Sequence, residues 1–404
     1  MSLNNTPSSE RVHIGIFGRR NAGKSSLINA VTSQNLAIVS DIKGTTTDPV
    51  MKAMELLPLG PVVLIDTPGL DDSGELGLMR IQKAHQALNR CDIAVLVIDA
   101  LEGITPEDGK ILEKIQKKQI PCILAINKCD LLSSFDSPVP LTDSLPDSIH
   151  TIRISARNGQ GIFELKEMLA ASLPEEDKGR RIVGDLIHPS SLVILVIPID
   201  KAAPKGRLIL PQQQTIRDIL DSGAYALTVR ETELAAALSS LGRTPDLVIT
   251  DSQAFSYVAK IVPEEIPLTS FSILFARYKG NLKTLADGAR ALDSLKADDT
   301  ILISEGCTHH RQCEDIGTVK LPNLIRKHTG CKDLTFSFTS GTEFPADLSG
   351  FSMIVHCGGC TLNEREMKYR LSCAEDAGIP ITNYGTAIAH MNGILPRCLQ
   401  PFSL

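Results

Sequence analysis

Short apolar runs rich in valine, isoleucine and leucine recur along the chain, and most are followed by a stretch with apolar positions at helical spacing. That alternation predicts parallel α/β layers. A strand buried on both faces reads as a continuous apolar run, and its crossover helix reads as an amphipathic one. In the first part the runs predict strands at Val12–Phe17, Val62–Ile65, Ile93–Ile98, Ile123–Ile126 and Ile152–Ile154. A helix is expected from Pro106, with Thr105 as N-cap and the proline at the first helical position. The polar stretch Pro174–Gly179 reads as a linker. Beyond it come expected strands at Leu192–Ile199, Ala224–Val229 and Leu247–Thr250, with helices at Gln212–Asp221, Glu231–Leu241 and Ala254–Ile261. A second break falls at Pro263–Thr269, before a third segment with strands at Thr300–Ser304 and Phe351–Val355. The expectation is an α/β chain: one larger N-terminal domain (1–178) and two smaller α/β domains (179–266 and 267–404).

Composition narrows the function classes. A length of 404 residues exceeds one typical core, which agrees with several domains. The formal charge of −6 argues against broad binding to nucleic acid or to anionic membranes. The longest apolar run, Leu192–Ile197, is too short to span a bilayer, and Met1–Glu10 lacks the basic-then-apolar pattern of a secretory signal. A cytoplasmic location is therefore expected. Ten cysteines would suggest disulfides in a small exported domain, which this chain does not resemble. Their distribution is uneven: three precede residue 130, none falls between 130 and 306, and seven run from Cys307 onward. The asymmetry points to special chemistry in the C-terminal part.

Gly18-Arg19-Arg20-Asn21-Ala22-Gly23-Lys24-Ser25 fits G-x-x-x-x-G-K-[ST] and lies between a predicted strand and a predicted helix. Gly18 and Gly23 let the backbone wrap close to phosphates, so that amides from Asn21, Ala22 and Gly23 to Ser26 and the helix N-terminus face negative charge. Lys24 is placed for the β- and γ-phosphates, and the Ser25 hydroxyl for Mg²⁺. Asp66-Thr67-Pro68-Gly69 ends another strand, where a magnesium-side carboxylate and a γ-phosphate-sensing glycine amide are needed. Asn127-Lys128-Cys129-Asp130 closes a third. There the Asp130 carboxylate can accept both edge N–H groups of guanine; adenine lacks that pair and would leave a buried carboxylate unpaired. Ser155 and Ala156 supply the remaining base contact. Four elements in this order predict a P-loop domain, over about residues 8–175, that binds and hydrolyses GTP.

These motifs resemble the TrmE-Era-Era-like family of translation-factor-related GTPases, through residues 18–25 and through Gly44-Thr45-Thr46-Thr47-Asp48. The resemblance implies Thr46 as the switch-I magnesium ligand, acting with Lys24, Asp66 and Gly69. Thr47 stands where that family usually carries arginine. Leu70 follows Gly69 where a Ras-type site has its water-orienting glutamine, which predicts slow intrinsic hydrolysis. Asn21 matches the P-loop asparagine that in relatives accompanies potassium-stimulated hydrolysis, a monovalent cation replacing the charge of an arginine finger. The plain alternative is a polar loop residue.

Cys307-Thr308-His309 directly follows one predicted strand, and His356-Cys357-Gly358-Gly359-Cys360 another. Both groups thus fall at the carboxyl ends of strands, where open α/β sheets place their sites. Asn363 and Glu366 predict a helix cap, which brings a positive helix end near Cys360 and favours thiolate. Three thiolates plus one variable ligand suit either an iron–sulfur cluster or a Cys₃His zinc site, and C-x-x-C alone also fits a redox dithiol. His310, Cys313, Cys331, Cys373 and Cys398 lack comparable spacing, and Cys373 falls within an amphipathic helix as a packing residue.

Joined to the nucleotide motifs, the pattern C-x-H-x46-H-C-x-x-C resembles the HydF family of FeFe-hydrogenase maturation GTPases. The segment Ala203–Thr215 extends the likeness to the middle of the chain, so that it covers nearly the whole. The resemblance implies a GTPase domain, a dimerisation domain and a 4Fe-4S-binding domain. It implies Cys307, Cys357 and Cys360 as cluster ligands, with His309 and His356 as candidates for an exchangeable fourth position. It further implies a scaffold or carrier that delivers a diiron subcluster to FeFe-hydrogenase apoprotein, with radical S-adenosylmethionine maturases upstream and assembly as a homodimer or higher. The cofactors implied are GTP or GDP, Mg²⁺, K⁺ and a 4Fe-4S cluster, with neither nucleic acid nor membrane as partner. The rival expectation is a ribosome- or tRNA-associated GTPase with a C-terminal zinc module, for which an acidic chain without tryptophan offers little base stacking.

Overall fold

A computed structural model of the chain describes residues 6–32, 50–69, 84, 87–140, 149–173, 181–199, 208–306, 316–341, 343–345 and 347–402. Two compact units divide it, Met1–Asp177 and Lys178–Leu404.

The first unit is built on one six-stranded sheet. Its strands are β1 (Val12–Phe17), β2 (Val50–Leu56), β3 (Gly60–Asp66), β4 (Ile93–Asp99), β5 (Cys122–Asn127) and β6 (Ile149–Arg153), in the order β2-β3-β1-β4-β5-β6. All pairings are parallel except β2 with β3. Every residue of β4 and β5 is buried, as expected of strands covered on both faces. Alternation along the strands divides them between two cores. Ile14, Ile16, Val95, Val97 and Ile123 pack with Leu27 and Ile28 of α1 (Lys24–Thr32) and with Leu165 and Leu169 of α3 (Ile162–Ala171). Phe17, Leu96, Ile98 and Leu124 pack with Ile111 and Ile115 of α2 (Pro106–Lys117). The α2 N-terminus follows its prediction: the Asp108 carboxylate accepts from the Thr105 amide at 3.1 Å and the Thr105 hydroxyl at 2.7 Å. Edge strand β2 was not expected. It alternates exposed with half-buried residues and has one neighbouring strand, so it carries no apolar run to betray it.

The second unit carries two four-stranded parallel sheets. The first joins β7 (Leu192–Val196), β8 (Tyr225–Val229), β9 (Leu247–Thr250) and β10 (Leu268–Ser270) in the order β10-β9-β7-β8. The second joins β11 (Thr300–Ser304), β12 (Thr335–Thr339), β13 (Met353–His356) and β14 (Ile381–Asn383) in the order β12-β11-β13-β14. The helices are α4 (Leu210–Asp221), α5 (Leu234–Ser240), α6 (Phe255–Ile261), α7 (Phe271–Lys279), α8 (Leu282–Arg290), α9 (Leu321–Thr329), α10 (Glu364–Asp376), α11 (Tyr384–Met391) and α12 (Leu395–Leu399).

Two of the differences from expectation concern the first of these sheets. β7 stops at Val196, short of the expected Ile199, which is exposed. The first sheet of this unit also runs past residue 266, because β10 adds to β9 beyond that expected boundary. One apolar cluster takes in Ile194, Val248 and Leu268 from one sheet and Leu302, Ile354 and Ile381 from the other, so the two sheets share a core. Helix α7 contributes to it through Ile273 and Ala276. Among the described residues, no helix is long and apolar enough to cross a membrane.

Candidate functional site

The phosphate loop leaves the carboxyl end of β1 in backbone conformations that glycine permits. Gly18 has φ 141° and Gly23 φ 94°. A Cβ on Gly18 would lie 2.3 Å from the Val97 carbonyl oxygen, and one on Gly23 would lie 2.2 Å from Asn127 Nδ2, so both positions exclude side chains. Asn21 also has a positive φ, 61°. The buried Lys24 ammonium donates to the carbonyls of Gly18 at 2.8 Å and Arg19 at 2.7 Å, across the mouth of the loop. At the second residue of α1, the Ser25 hydroxyl donates to Asp66 Oδ2 over 3.4 Å. Burial pushes the Asp66 carboxyl up, against the opposing pull of Lys24, Ser25 and Lys52. A hydroxyl and a desolvated carboxylate at this spacing fit a hard divalent cation, which would relieve that desolvation. Thr67 locks the loop after β3, its hydroxyl donating to the Ile16 carbonyl at 2.7 Å, and Gly69 follows two residues on.

The base side is equally fixed. Asn127 Nδ2 donates to the Ala22 carbonyl at 2.9 Å, while Asn127 Oδ1 accepts from the Ala156 amide at 3.0 Å. One buried side chain therefore ties the phosphate loop to both base loops. Lys128 adopts a left-handed conformation (φ 66°), and its ammonium meets Asp99 Oδ2 at 2.6 Å. Asp99 was not anticipated, since nothing around it in sequence marks a partner for Lys128. Asp130 Oδ1 accepts from the Ser155 hydroxyl at 2.6 Å, which orients the carboxylate. Gly23, Ser26, Asn127, Lys128, Asp130 and Ala156 all line one cavity of about 610 Å³. Of the other expected nucleotide-binding positions, Gly18, Asn21, Ala22, Lys24 and Ser25 lie on the adjoining loop and the start of α1, and Ser155 bonds to Asp130. Thr46 and Leu70 lie outside the described residues.

The cysteine turn follows β13. Cys357 Sγ accepts from two backbone amides, Gly306 at 3.0 Å and Gly359 at 3.4 Å. Gly359 has φ 61°, and a Cβ there would lie 2.6 Å from Met367 Sδ. Gly306 is pinned from its other side as well, its carbonyl accepting from the Thr361 hydroxyl at 2.8 Å. Gly306 is bonded directly to Cys307, so the chain enters Cys307 from a backbone already held against the Cys357 thiol. Cys307 and His309 themselves lie outside the described residues, as do His310 and Cys313. Burial pushes the Cys357 thiol up to about 11 and raises Cys360 as well, with Lys279 working against the shift at Cys360. Burial thus favours the neutral thiol at both cysteines, against the expected thiolate at Cys360; binding of a soft metal would ionise them.

Two buried cations back the turn, and neither was legible in sequence. Lys279, the last residue of α7, donates to the carbonyls of Gly359 (3.1 Å), Cys360 (3.1 Å) and Leu362 (2.8 Å). Arg370 is fully buried on α10 and donates to Glu366 Oε1, Ser304 Oγ, His356 Nε2 and the Gly341 carbonyl, all between 2.8 and 3.1 Å. The helix cap appears as predicted, with Asn363 Oδ1 accepting from the Glu366 amide at 3.1 Å. His356, expected as a candidate fourth ligand, is placed otherwise. It is fully buried, its Nδ1 lies 2.7 Å from the Cys357 carbonyl oxygen, and its Nε2 lies 2.9 Å from the Arg370 guanidinium. Both ring nitrogens are engaged inside the protein, because β13 ends with this side chain pointing into the core. Burial and Arg370 lower its pKa to about 3, so the ring is neutral, with its proton on Nδ1. Cys373 packs against the shared core, as its helix position suggested, and Cys398 is buried within that core.

Comparison with known proteins adds the following. Residues 182–280 match the hydrogen maturase F dimerization domain, and residues 283–401 the hydrogen maturase F tetramerization domain. Residues 13–128 match the 50S ribosome-binding GTPase family. The tRNA modification GTPase MnmE of Desulfotalea psychrophila is 33% identical over 193 residues, 46% of this chain and 40% of the relative. The same enzyme of Synechococcus sp. is 42% identical over 162 residues, 39% of this chain and 33% of the relative. This chain thus spans 40% or less of these two curated relatives. A solved structure of Era in complex with MgGDPNP and nucleotides 1506–1542 of 16S ribosomal RNA covers 54% of this chain and 92% of its own, at 23% identity and a TM-score of 0.37.

Proposed function

The chain belongs to the hydrogen maturase F family, and on that premise we propose that it is a GTP-hydrolysing carrier of a 4Fe-4S cluster that delivers a diiron subcluster to FeFe-hydrogenase apoprotein. The observation that carries the reading is the cysteine turn: two desolvated thiols at a strand end, backed by Lys279, with Gly306 pinned against Cys357. A tRNA- or ribosome-associated role rests on relatives that cover less than half of this chain.

In the first unit, Ser25, Asp66 and Thr46 would hold Mg²⁺, which supplies charge neutralisation at the β- and γ-phosphate oxygens. Lys24 leaves its loop carbonyls for the same phosphates, and the Gly69 amide meets the γ-phosphate. Asp130, aimed by Ser155, selects guanine. Water attacks the γ-phosphorus, the bond to the bridging oxygen breaks, and its electrons stay on GDP. With Leu70 in place of a water-orienting glutamine this step is slow. Asn21 would hold a potassium ion, which would supply the positive charge that an arginine finger brings elsewhere.

In the second unit Cys307, Cys357 and Cys360 would hold the cluster, which would supply an exchangeable coordination position for the cargo. His309 is the remaining histidine candidate for that position, since His356 instead braces Arg370 behind the turn. The two matched models are named for dimerization and tetramerization, which supports assembly of the chain into a homo-oligomer. Radical S-adenosylmethionine maturases are its upstream partners.

The test is activation in vitro. Protein co-expressed with the radical maturases and purified without oxygen should confer hydrogen evolution on apo-hydrogenase made in their absence, and Cys357→Ser should not. Activation by the serine variant at the parent level, or GTP-dependent cosedimentation with ribosomal particles in place of activation, would overturn the proposal.

A further inference from the structure

Three side chains far apart in sequence converge beside the second sheet of the C-terminal unit. Asp293 lies in the 3-10 turn Ala291–Ser294 after α8, His328 in the last turn of α9, and His390 in the last turn of α11. His328 Nε2 is 2.7 Å from Asp293 Oδ1, and His390 Nε2 is 3.0 Å from both Asp293 oxygens. The two imidazoles meet edge to face, with ring centroids 5.6 Å apart. All three ligand-capable atoms fall within 4.8 Å of one another. We propose that Asp293, His328 and His390 form a second metal site, for a divalent transition-metal ion of the zinc class, separate from the cysteine turn.

The chemistry of the donors supports that choice. Two imidazole nitrogens with one carboxylate suit zinc and its borderline neighbours, and they leave positions open for water. Ligand atoms on a tetrahedral zinc ion stand roughly 3.4 Å apart, given bonds of about 2.0–2.1 Å. The two nitrogen-to-oxygen separations are already shorter than that. Closing round an ion therefore needs the rings to part slightly from the carboxylate and draw toward each other.

The frame under the triad is rigid. Leu292, Ile325 and Ala387, each a near neighbour in sequence of one ligand, are buried together in a single apolar cluster. The rings are held close to that core, with side-chain exposures of 25% for His328 and 17% for His390, while the Asp293 side chain is 58% exposed. An ion can thus enter from solvent onto partly ordered ligands. Without one, the two histidines serve the carboxylate as hydrogen-bond donors and hold its pKa below the usual range. That pairing is the competing use of the same residues.

The site is distinct from the cysteine turn by topology. Asp293 precedes the amino end of β11, and His328 precedes that of β12, whereas the cysteines follow the carboxyl end of β13. All of these strands are parallel, so the two sites lie at opposite ends of the sheet. A five-residue strand alone separates them by about 17 Å.

The experiment titrates the full-length protein with Co²⁺ alone, reading visible absorption and bound metal per chain, with Zn²⁺ competition afterwards. Thiolate-to-cobalt charge transfer marks the cysteine site, and a d–d spectrum without it marks the imidazole and carboxylate site. The parent is expected to bind one equivalent of the second kind. His390→Ala and Asp293→Ala should each weaken that equivalent at least tenfold and leave the thiolate band unchanged. Equal binding of the second kind by parent and variants, or loss of the thiolate band instead, would overturn the proposal. A second readout needs no variant: saturating Co²⁺ should shield His328 and His390 from carbethoxylation, scored by peptide mass spectrometry. Unchanged modification of both would also overturn it.

Discussion

Replacing Lys279 by methionine keeps the apolar stem of the side chain and removes the ammonium that holds the cysteine turn. Three carbonyl acceptors, those of Gly359, Cys360 and Leu362, lose a donor at 2.8–3.1 Å. A buried acceptor left unpaired costs about 1–3 kcal/mol. The sum is offset in part because a buried ammonium no longer has to be desolvated, an effective penalty of several kcal/mol. The expected net loss is about 2–4 kcal/mol in the stability of the C-terminal unit, or roughly 30- to 1000-fold in its folding equilibrium. A second consequence is electrostatic. Lys279 opposes the burial that raises the Cys360 thiol, so its removal raises that thiol further, and metal uptake then requires higher pH. The assay pairs urea denaturation with anaerobic reconstitution across pH 7–9. GTP turnover serves as the control, because the nucleotide site lies in the other unit. The reasoning is refuted if Lys279→Met unfolds at the parental midpoint and takes up iron with the parental pH profile.

Other predictions concern single groups. Asp130→Asn should weaken GTP about 100-fold and improve binding of XTP, whose 2-carbonyl can accept from the new amide; nucleotide competition would show unchanged preference if Asp130 does not read the base. Exchange of potassium for sodium should lower GTP turnover in the parent and have no effect in Asn21→Ala, and equal parental rates in both salts would remove the role given to Asn21. In metal-free protein, His356 is neutral when folded, with a pKa of about 3, but titrates near 6.5 when unfolded, so the unfolded state binds the extra proton between those values. Stability should therefore fall as pH drops from about 6.5 toward 3, by about 2 kcal/mol at pH 5 from this group alone. His356→Gln should flatten that slope, and an identical acid slope in both proteins would contradict it.

The first unit was legible because its chemistry is local. Each nucleotide motif sits within a few residues of a strand end, and the strand itself is a buried apolar run, so Val12–Phe17 and the loop after it could be read together. The same holds for Asn363 and its helix. Long-range partners were not legible. Lys279 meets the cysteine turn across eighty residues, and Arg370 reaches Ser304 and Gly341 from a helix far from both in sequence. His356 shows the limit most clearly. Its place beside Cys357 suggested ligation, yet strand alternation turns it inward to Arg370, and only the packing of α10 on β13 reveals that. Asp293, His328 and His390 likewise meet only because three helical ends stack on one core.

The claim that this chain carries an iron–sulfur cluster is tested most directly by iron and sulfide analysis of anaerobically reconstituted protein, with EPR of the reduced form. The account predicts about four iron and four sulfide per chain in the parent, a reduced-cluster signal, and loss of both in Cys357→Ser with GTP turnover nearly intact. Stoichiometric zinc without sulfide in the parent, or full cluster content in Cys357→Ser, would contradict it.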